Sequence, residues 1–172
     1  QIVRKELIKI NTNKVKKRSI VEGLVEKDDL VLLVMPQQIN APEGRLILPQ
    51  VQTIRDLLDH QAIVVSVCTD EIDSALKALS KPPKLIITDS QVFPLVYEKK
   101  PKESKLTSFS ILLSAVKGDV EKFAYAAHKI KQLNEKSKVL IAEACTDAPL
   151  TEDIGRVQIP RLLRNRVGEN LQ

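Results

Sequence analysis

Hydrophobic positions fall along this chain in two alternating patterns: short unbroken runs, and longer stretches with helical spacing. Leu30-Val31-Leu32-Leu33-Val34-Met35 is a continuous apolar run of strand length, as expected of a strand buried on both faces. A loop punctuated by Pro36, Pro42, Gly44 and Pro49 follows. Val51, Ile54, Leu57 and Leu58 then recur at helical spacing, with Gln52, Arg55, Asp56 and Asp59 on the other side, which predicts an amphipathic helix. The unit repeats. Ala62 to Val67 is a second β-rich run, and Ile72, Ala75, Leu76 and Leu79 mark a second helix that Pro82 and Pro83 end. A third run, Leu85-Ile86-Ile87, closes at Thr88-Asp89-Ser90, where Asp or Ser can cap a short helix through Val96. Strand starts near 30, 62 and 85 leave room for one crossover helix each, which is the arithmetic of parallel βαβ units.

The polar stretch from Tyr97 to Lys105, which contains Pro101, reads as a domain boundary. Beyond it, Val120, Phe123, Ala124, Ala127, Ile130 and Leu133 line one face of a helix that begins after Gly118-Asp119. Val139-Leu140-Ile141-Ala142 reads as a fourth buried strand, delivering Glu143, Cys145 and Asp147 into a loop at its C-terminal end, where open α/β sheets hold their ligands. Gln1 to Leu24 is basic and weakly periodic, and reads as the tail of something upstream and a linker. The fold expected is therefore α/β: two small domains built of parallel βαβ units, residues 28–104 and 105–172, after a leading segment 1–27.

Composition narrows the function. With 43% hydrophobic residues and 28% charged, the 172-residue chain can bury a proper core. Its longest apolar run is far below the roughly 20 residues of a membrane span, and no secretory signal is legible; a cytoplasmic protein without a membrane partner is expected. The net charge of +5 is concentrated in Lys14, Lys16, Lys17 and Arg18 and in the last dozen residues, with no aromatic side chain there to stack a base. Nucleic acid is not an expected partner. The five glycines, at 23, 44, 118, 155 and 168, form no phosphate-binding motif, so no nucleotide site and no catalytic apparatus is encoded locally.

Few side chains remain that could carry chemistry. His60 and His128 have no Ser or Cys nucleophile beside them in sequence and read as structural or solvated. Cys68 ends a mostly apolar strand and reads as a small buried hydrophobe. Cys145 differs, since Glu143 and Asp147 stand two positions to either side of it. By spacing alone it can be a structural thiol or a ligand, and the loop supplies three donors at most where a metal site needs about four.

Five segments in chain order resemble one family. They are Ala41-Pro42-Glu43-Gly44-Arg45-Leu46-Ile47-Leu48-Pro49-Gln50-Val51-Gln52-Thr53-Ile54-Arg55-Asp56, Ile87-Thr88-Asp89-Ser90-Gln91-Val92-Phe93, Leu106 to Leu112, Leu140-Ile141-Ala142-Glu143-Ala144-Cys145-Thr146, and Asp153-Ile154-Gly155-Arg156-Val157-Gln158-Ile159-Pro160-Arg161. They are similar to the HydF family of FeFe-hydrogenase maturation GTPases. The resemblance implies a GTPase domain ending near residue 24, a dimerisation domain over 28–104 and the first part of a 4Fe-4S cluster domain over 105–172. It implies a homodimeric scaffold that carries a two-iron precursor of the hydrogenase H-cluster, with the FeFe-hydrogenase apoprotein and radical-SAM maturases as partners and GTP bound only by the full-length protein. The family's cluster pattern is Cys-x-His, then His-Cys-x-x-Cys some fifty residues later. Cys145 matches the first Cys, Asp147 stands where the His would be, and Glu143 is a rival oxygen donor; the later motif would lie beyond Gln172. A generic α/β dimerisation or binding module with a structural Cys145 is the competing reading.

Overall fold

The computed structural model of the chain describes residues 18–37, 44–142 and 153–172. It divides into two compact units, Gln1–Asp119 and Val120–Gln172.

The first unit is a four-stranded parallel sheet of β1 (Leu30–Val34), β2 (Ile63–Val67), β3 (Leu85–Thr88) and β4 (Lys105–Ser108), in the order β2-β1-β3-β4. Its helices are α1 (Leu48–Asp59), α2 (Ile72–Ala78), α3 (Phe93–Lys99) and α4 (Phe109–Lys117). The unbroken apolar run of β1 is explained by its central place, since all five residues are buried and successive side chains serve opposite cores. Val31 and Leu33 join Leu85 and Ile87 of β3 under Leu57 of α1 and Phe109 and Leu112 of α4. Leu32 and Val34 join Ile86 under Ile72 of α2 and Val96 of α3. The register that sets Val31 opposite Leu85 and Leu32 opposite Ile86 keeps the two cores separate. Helices thus lie on both faces. A right-handed crossover must change face when the connection changes direction, and here it changes between β1, which leads outward to β2, and β3, which leads to β4. The parallel βαβ reading of this region is correct.

Three sequence expectations need correction. The domain boundary does not fall at Tyr97 to Lys105, because Lys105–Ser108 is β4 and pairs with β3, while α4 supplies Phe109 and Leu112 to the first core. Residues 20 to 25 are not linker: Val21 and Val25 are buried in that same core, and Asp56 accepts hydrogen bonds from Ser19 Oγ (2.8 Å), Ile20 N (2.7 Å) and Val21 N (3.0 Å), fastening the segment to α1. Val139–Ala142 is not a strand. Among the described residues, Val139 N alone finds a backbone partner, Gln172 O at 2.8 Å, and Leu140 is 91% exposed. An apolar run of four residues becomes a strand only where a neighbouring strand offers its ladder.

The second unit contains α5 (Val120–Ile130), a single π-helical turn over Ile154–Gln158, and α6 (Ile159–Val167). The apolar stripe foreseen for α5 is present, but the helix has no buried residue; Phe123 is 52% exposed. Leu171 is the buried hydrophobic residue of this unit among the described residues.

Candidate functional site

The residues singled out for metal binding, Cys145 and Asp147, and their rival Glu143 lie outside the described residues, as does the expected loop around them. After that loop, Asp153 Oδ1 accepts from Arg156 N at 2.7 Å and so opens the turn that leads into α6. Among the described residues, no group of three or more His, Cys, Asp or Glu could hold a metal ion. Cys68 is exposed rather than buried, because it follows the edge strand β2 and turns outward into Thr69–Glu71, where its N–H meets Glu71 Oε2 at 3.2 Å. His60 closes α1, with Nδ1 2.8 Å from Asp56 O and Nε2 3.4 Å from Ser19 Oγ. His128 is exposed on α5.

In the first unit the switch between β1 and β3 is the place where such a sheet could hold a small ligand. The polar groups described there serve the fold. Gln50, buried in the first turn of α1, accepts from Ile47 N at 3.1 Å through Oε1 and donates to Asp89 Oδ2 at 3.1 Å through Nε2. Thr88 Oγ1 donates to Val34 O at 3.0 Å, and Ser108 Oγ accepts from Ile111 N at 3.2 Å to cap α4. A buried carboxylate joined to a carboxamide fixes α1 against the end of β3. It provides neither a nucleophile nor a base aligned on one.

The exposed features of this unit are surfaces. Among the described residues β2 is paired on one side only, and its first residue, Ile63, is 50% exposed. Strand residues alternate in the side to which their backbone points. Ile63 N donates inward to Asp29 O (2.8 Å) and Val67 O accepts inward from Met35 N (2.9 Å), so Val64 and Ser66 direct their N–H and C=O outward. A groove of about 710 Å³ runs between α1 and α4, with Ile20, Val51, Leu113 and Val116 among its apolar residues and Arg18, Arg55 and Lys117 among its charged ones. An open strand edge and an apolar groove with charged borders are the materials of protein association.

The opposite end of the sheet carries an ion pair. Lys84 Nζ donates to Asp29 Oδ2 at 2.6 Å across the entries to β3 and β1, and Glu26 N donates to the same oxygen at 2.6 Å. The ammonium hydrogen bond holds the Asp29 carboxyl below its ordinary range, and Asp29 in turn raises Lys84.

Residues 20–118 match the Hydrogen maturase F dimerization domain, and residues 121–172 match the Hydrogen maturase F tetramerization domain. The chain belongs to the HydF family. The two matches meet where the two compact units divide, between Asp119 and Val120, so each domain of this HydF chain corresponds to one unit. Hydrogenase maturation is therefore the setting of this protein, and self-association is what its two domains serve. The second match adds an assembly level to the homodimer expected from sequence. No curated protein matches the chain. Among solved structures, one described as "Structural and Functional Studies of Fatty Acyl-Adenylate Ligases from E. coli and L. pneumophila" aligns at 15% identity and a TM-score of 0.43, over 63% of this chain and 19% of that one. A likeness that slight carries no argument.

Sequence reading missed β4, α4 and the buried segment before β1. A signal existed for α4: Ser108 precedes Phe109, Leu112, Leu113 and Val116, an N-cap followed by helical spacing. β4 gave little sign, since Lys105-Leu106-Thr107-Ser108 holds one strongly apolar residue.

Proposed function

We propose that this chain is the assembly portion of a scaffold that builds the FeFe-hydrogenase H-cluster, a protein that carries a 4Fe-4S cluster and a two-iron precursor and hands the precursor to the hydrogenase. The observation that supports the reading is the pair of consecutive HydF domain matches, one to each compact unit. Its partners are the FeFe-hydrogenase apoprotein and the radical-SAM maturases, and its compartment is the cytoplasm. GTP belongs to the full-length protein, since this chain has no phosphate-binding loop.

The described residues do not make a cluster site by themselves, and Cys68 lies in the other unit from Cys145. The proposal for the cluster thus rests on the sequence: Cys145 supplies one thiolate, and Asp147, at the family's histidine position, supplies a harder, more easily displaced oxygen. The test is iron analysis and reduced-state EPR of the full-length protein reconstituted without oxygen, unmutated and as Cys145→Ser, Asp147→Ala and Asp147→His. Loss of cluster iron in the Cys145 variant, with altered spectra in the Asp147 variants, is expected. Full iron and unchanged spectra in Cys145→Ser would leave a structural cysteine in a binding module.

A further inference from the structure

Arginine is distributed unevenly along this chain. Of its eight arginines, four (Arg156, Arg161, Arg164 and Arg166) fall within one short stretch, while none of its nineteen lysines lies beyond Lys138. Lysine would serve solubility equally well; arginine adds a planar fork of donors matched to an oxyanion. The structure gathers three of the four. Arg156, in the turn before α6, and Arg161 and Arg164, one helical turn apart on it, line an open pocket of about 340 Å³ together with Asn165, Pro160 and Val157. Arg166 is five residues from Arg161, lies off that face, and does not line the pocket.

Among the residues that line the pocket, three arginines stand against one carboxylate, Glu169. Between Asp153 and Gln172 the four arginines face two carboxylates, Asp153 and Glu169, and Asp153 already accepts the N–H of Arg156. Glu169 lines the same pocket, and Arg156 and Arg161 also interact within the chain, so the site is a partly neutralised cradle. No Phe, Tyr or Trp lies in 153–172, so nothing here would stack a base or an aromatic ligand. Donors in excess, forked geometry and absent stacking favour a compact oxyanion.

We propose that the pocket formed by Arg156, Arg161, Arg164 and Asn165 is a binding site for a phosphate group, held by guanidinium forks with the Asn165 carboxamide as a further donor. The site belongs to the second unit alone and does not depend on the cluster reading.

Inorganic phosphate is titrated into the whole chain labelled with nitrogen-15, at constant ionic strength, while the arginine Nε–H resonances are followed by NMR. Saturable shifts at Arg156, Arg161 and Arg164 are expected, with binding weakened at least about tenfold in Arg161→Gln/Arg164→Gln and within about twofold of the original in Arg166→Gln, since each charged hydrogen bond contributes of the order of a tenfold change. Gln keeps helix propensity close to that of Arg, and the single variant Arg164→Gln, expected to lose part of the binding, serves if the double variant misfolds. Methyl phosphate titrated alongside distinguishes the source. Tighter binding of inorganic phosphate assigns the pocket to the free ion, and tighter binding of the ester assigns it to the phosphoryl group of a larger molecule. Equal shifts with chloride, tighter binding of acetate than of phosphate, or equal losses in Arg166→Gln would overturn the proposal.

Discussion

Asp56 gathers three hydrogen bonds on a single carboxylate oxygen. One oxygen, Oδ2, takes the Ser19 hydroxyl and the N–H groups of Ile20 and Val21, while its own backbone carbonyl meets His60 Nδ1. Hydrogen bonds to a charged acceptor contribute about 1.5–3 kcal/mol each when fully formed, and less where water competes, as it does at this half-buried site. Asp56→Ala is expected to lower the unfolding free energy by roughly 2 kcal/mol and to increase proteolysis before Val21, both readable by denaturant titration and limited digestion. Little of this was legible in the sequence, where Asp56 is merely a polar position on the outer side of an amphipathic helix. The donors lie more than thirty residues away in a segment without clear periodicity. At Gln50 the difficulty is the same: its partner Asp89 reaches it only once the sheet has formed.

The Asp29–Lys84 pair predicts a pH dependence with a definite sign. Asp29 has its folded pKa lowered by the Lys84 hydrogen bond, so its contribution is present above the unfolded value, about pH 4, and is lost as pH falls through the folded value. Lys84 is raised, so its contribution is present below about pH 10 and is lost as pH climbs past the folded value. The stability gap between the unmutated protein and Asp29→Asn is expected to be flat from about pH 5 to 9 and to narrow below about pH 4. Urea midpoints across pH measure it, and a gap that widened in acid would refute the assignment.

At the scale of elements, the legible part of the fold was the part governed by hydrophobic period. β1 and β3 are continuous apolar runs because they sit inside the sheet, and their lengths and the helix between β1 and β2 follow from the pattern. β4 escaped because it is an edge strand with a charged first residue, for which alternation over four positions is no signal. Val139–Ala142 was overread for the opposite reason: among the described residues no neighbouring strand answers its apolarity. Edge identity also bears on the dimer. β4 begins with Lys105 and follows the charged stretch Lys99 to Lys102, whereas β2 has five residues, no charge within it and an exposed Ile63. Charged side chains protect an edge from pairing, so β2 is the edge suited to receive a second copy. Ser66 directs its N–H outward and its side chain is exposed, so Ser66→Pro removes a donor to a partner without removing one from the sheet. The variant is expected to retain its circular dichroism while its monomer fraction at micromolar concentration rises, measured by analytical ultracentrifugation. An unchanged dimer would move the interface to β4 or to the groove between α1 and α4.

For the whole molecule, the two units differ in how far each satisfies itself. The first buries two hydrophobic cores, one on each face of a single sheet. The second presents α5, whose regular apolar face has Val120, Phe123 and Ile130 substantially exposed, in a region that matches a tetramerisation domain. An apolar stripe left open within its own unit is a surface suited to association, and copies of the chain are expected to meet through it. The assembly should therefore come apart in two independent steps, with the sheet unit forming dimers and the helical unit joining them. Phe123→Asp puts a charge in the centre of the α5 stripe while leaving both sheet cores untouched, since Phe123 belongs to neither. Burying an unpaired carboxylate costs several kcal/mol, which weakens a contact on the order of a thousandfold. Sedimentation of the full-length variant is expected to show dimer in place of tetramer, with an unaltered first-unit melting transition. Adding Ser66→Pro should then yield monomer, and a tetramer that survives Phe123→Asp would mean that copies meet through another face of the second unit.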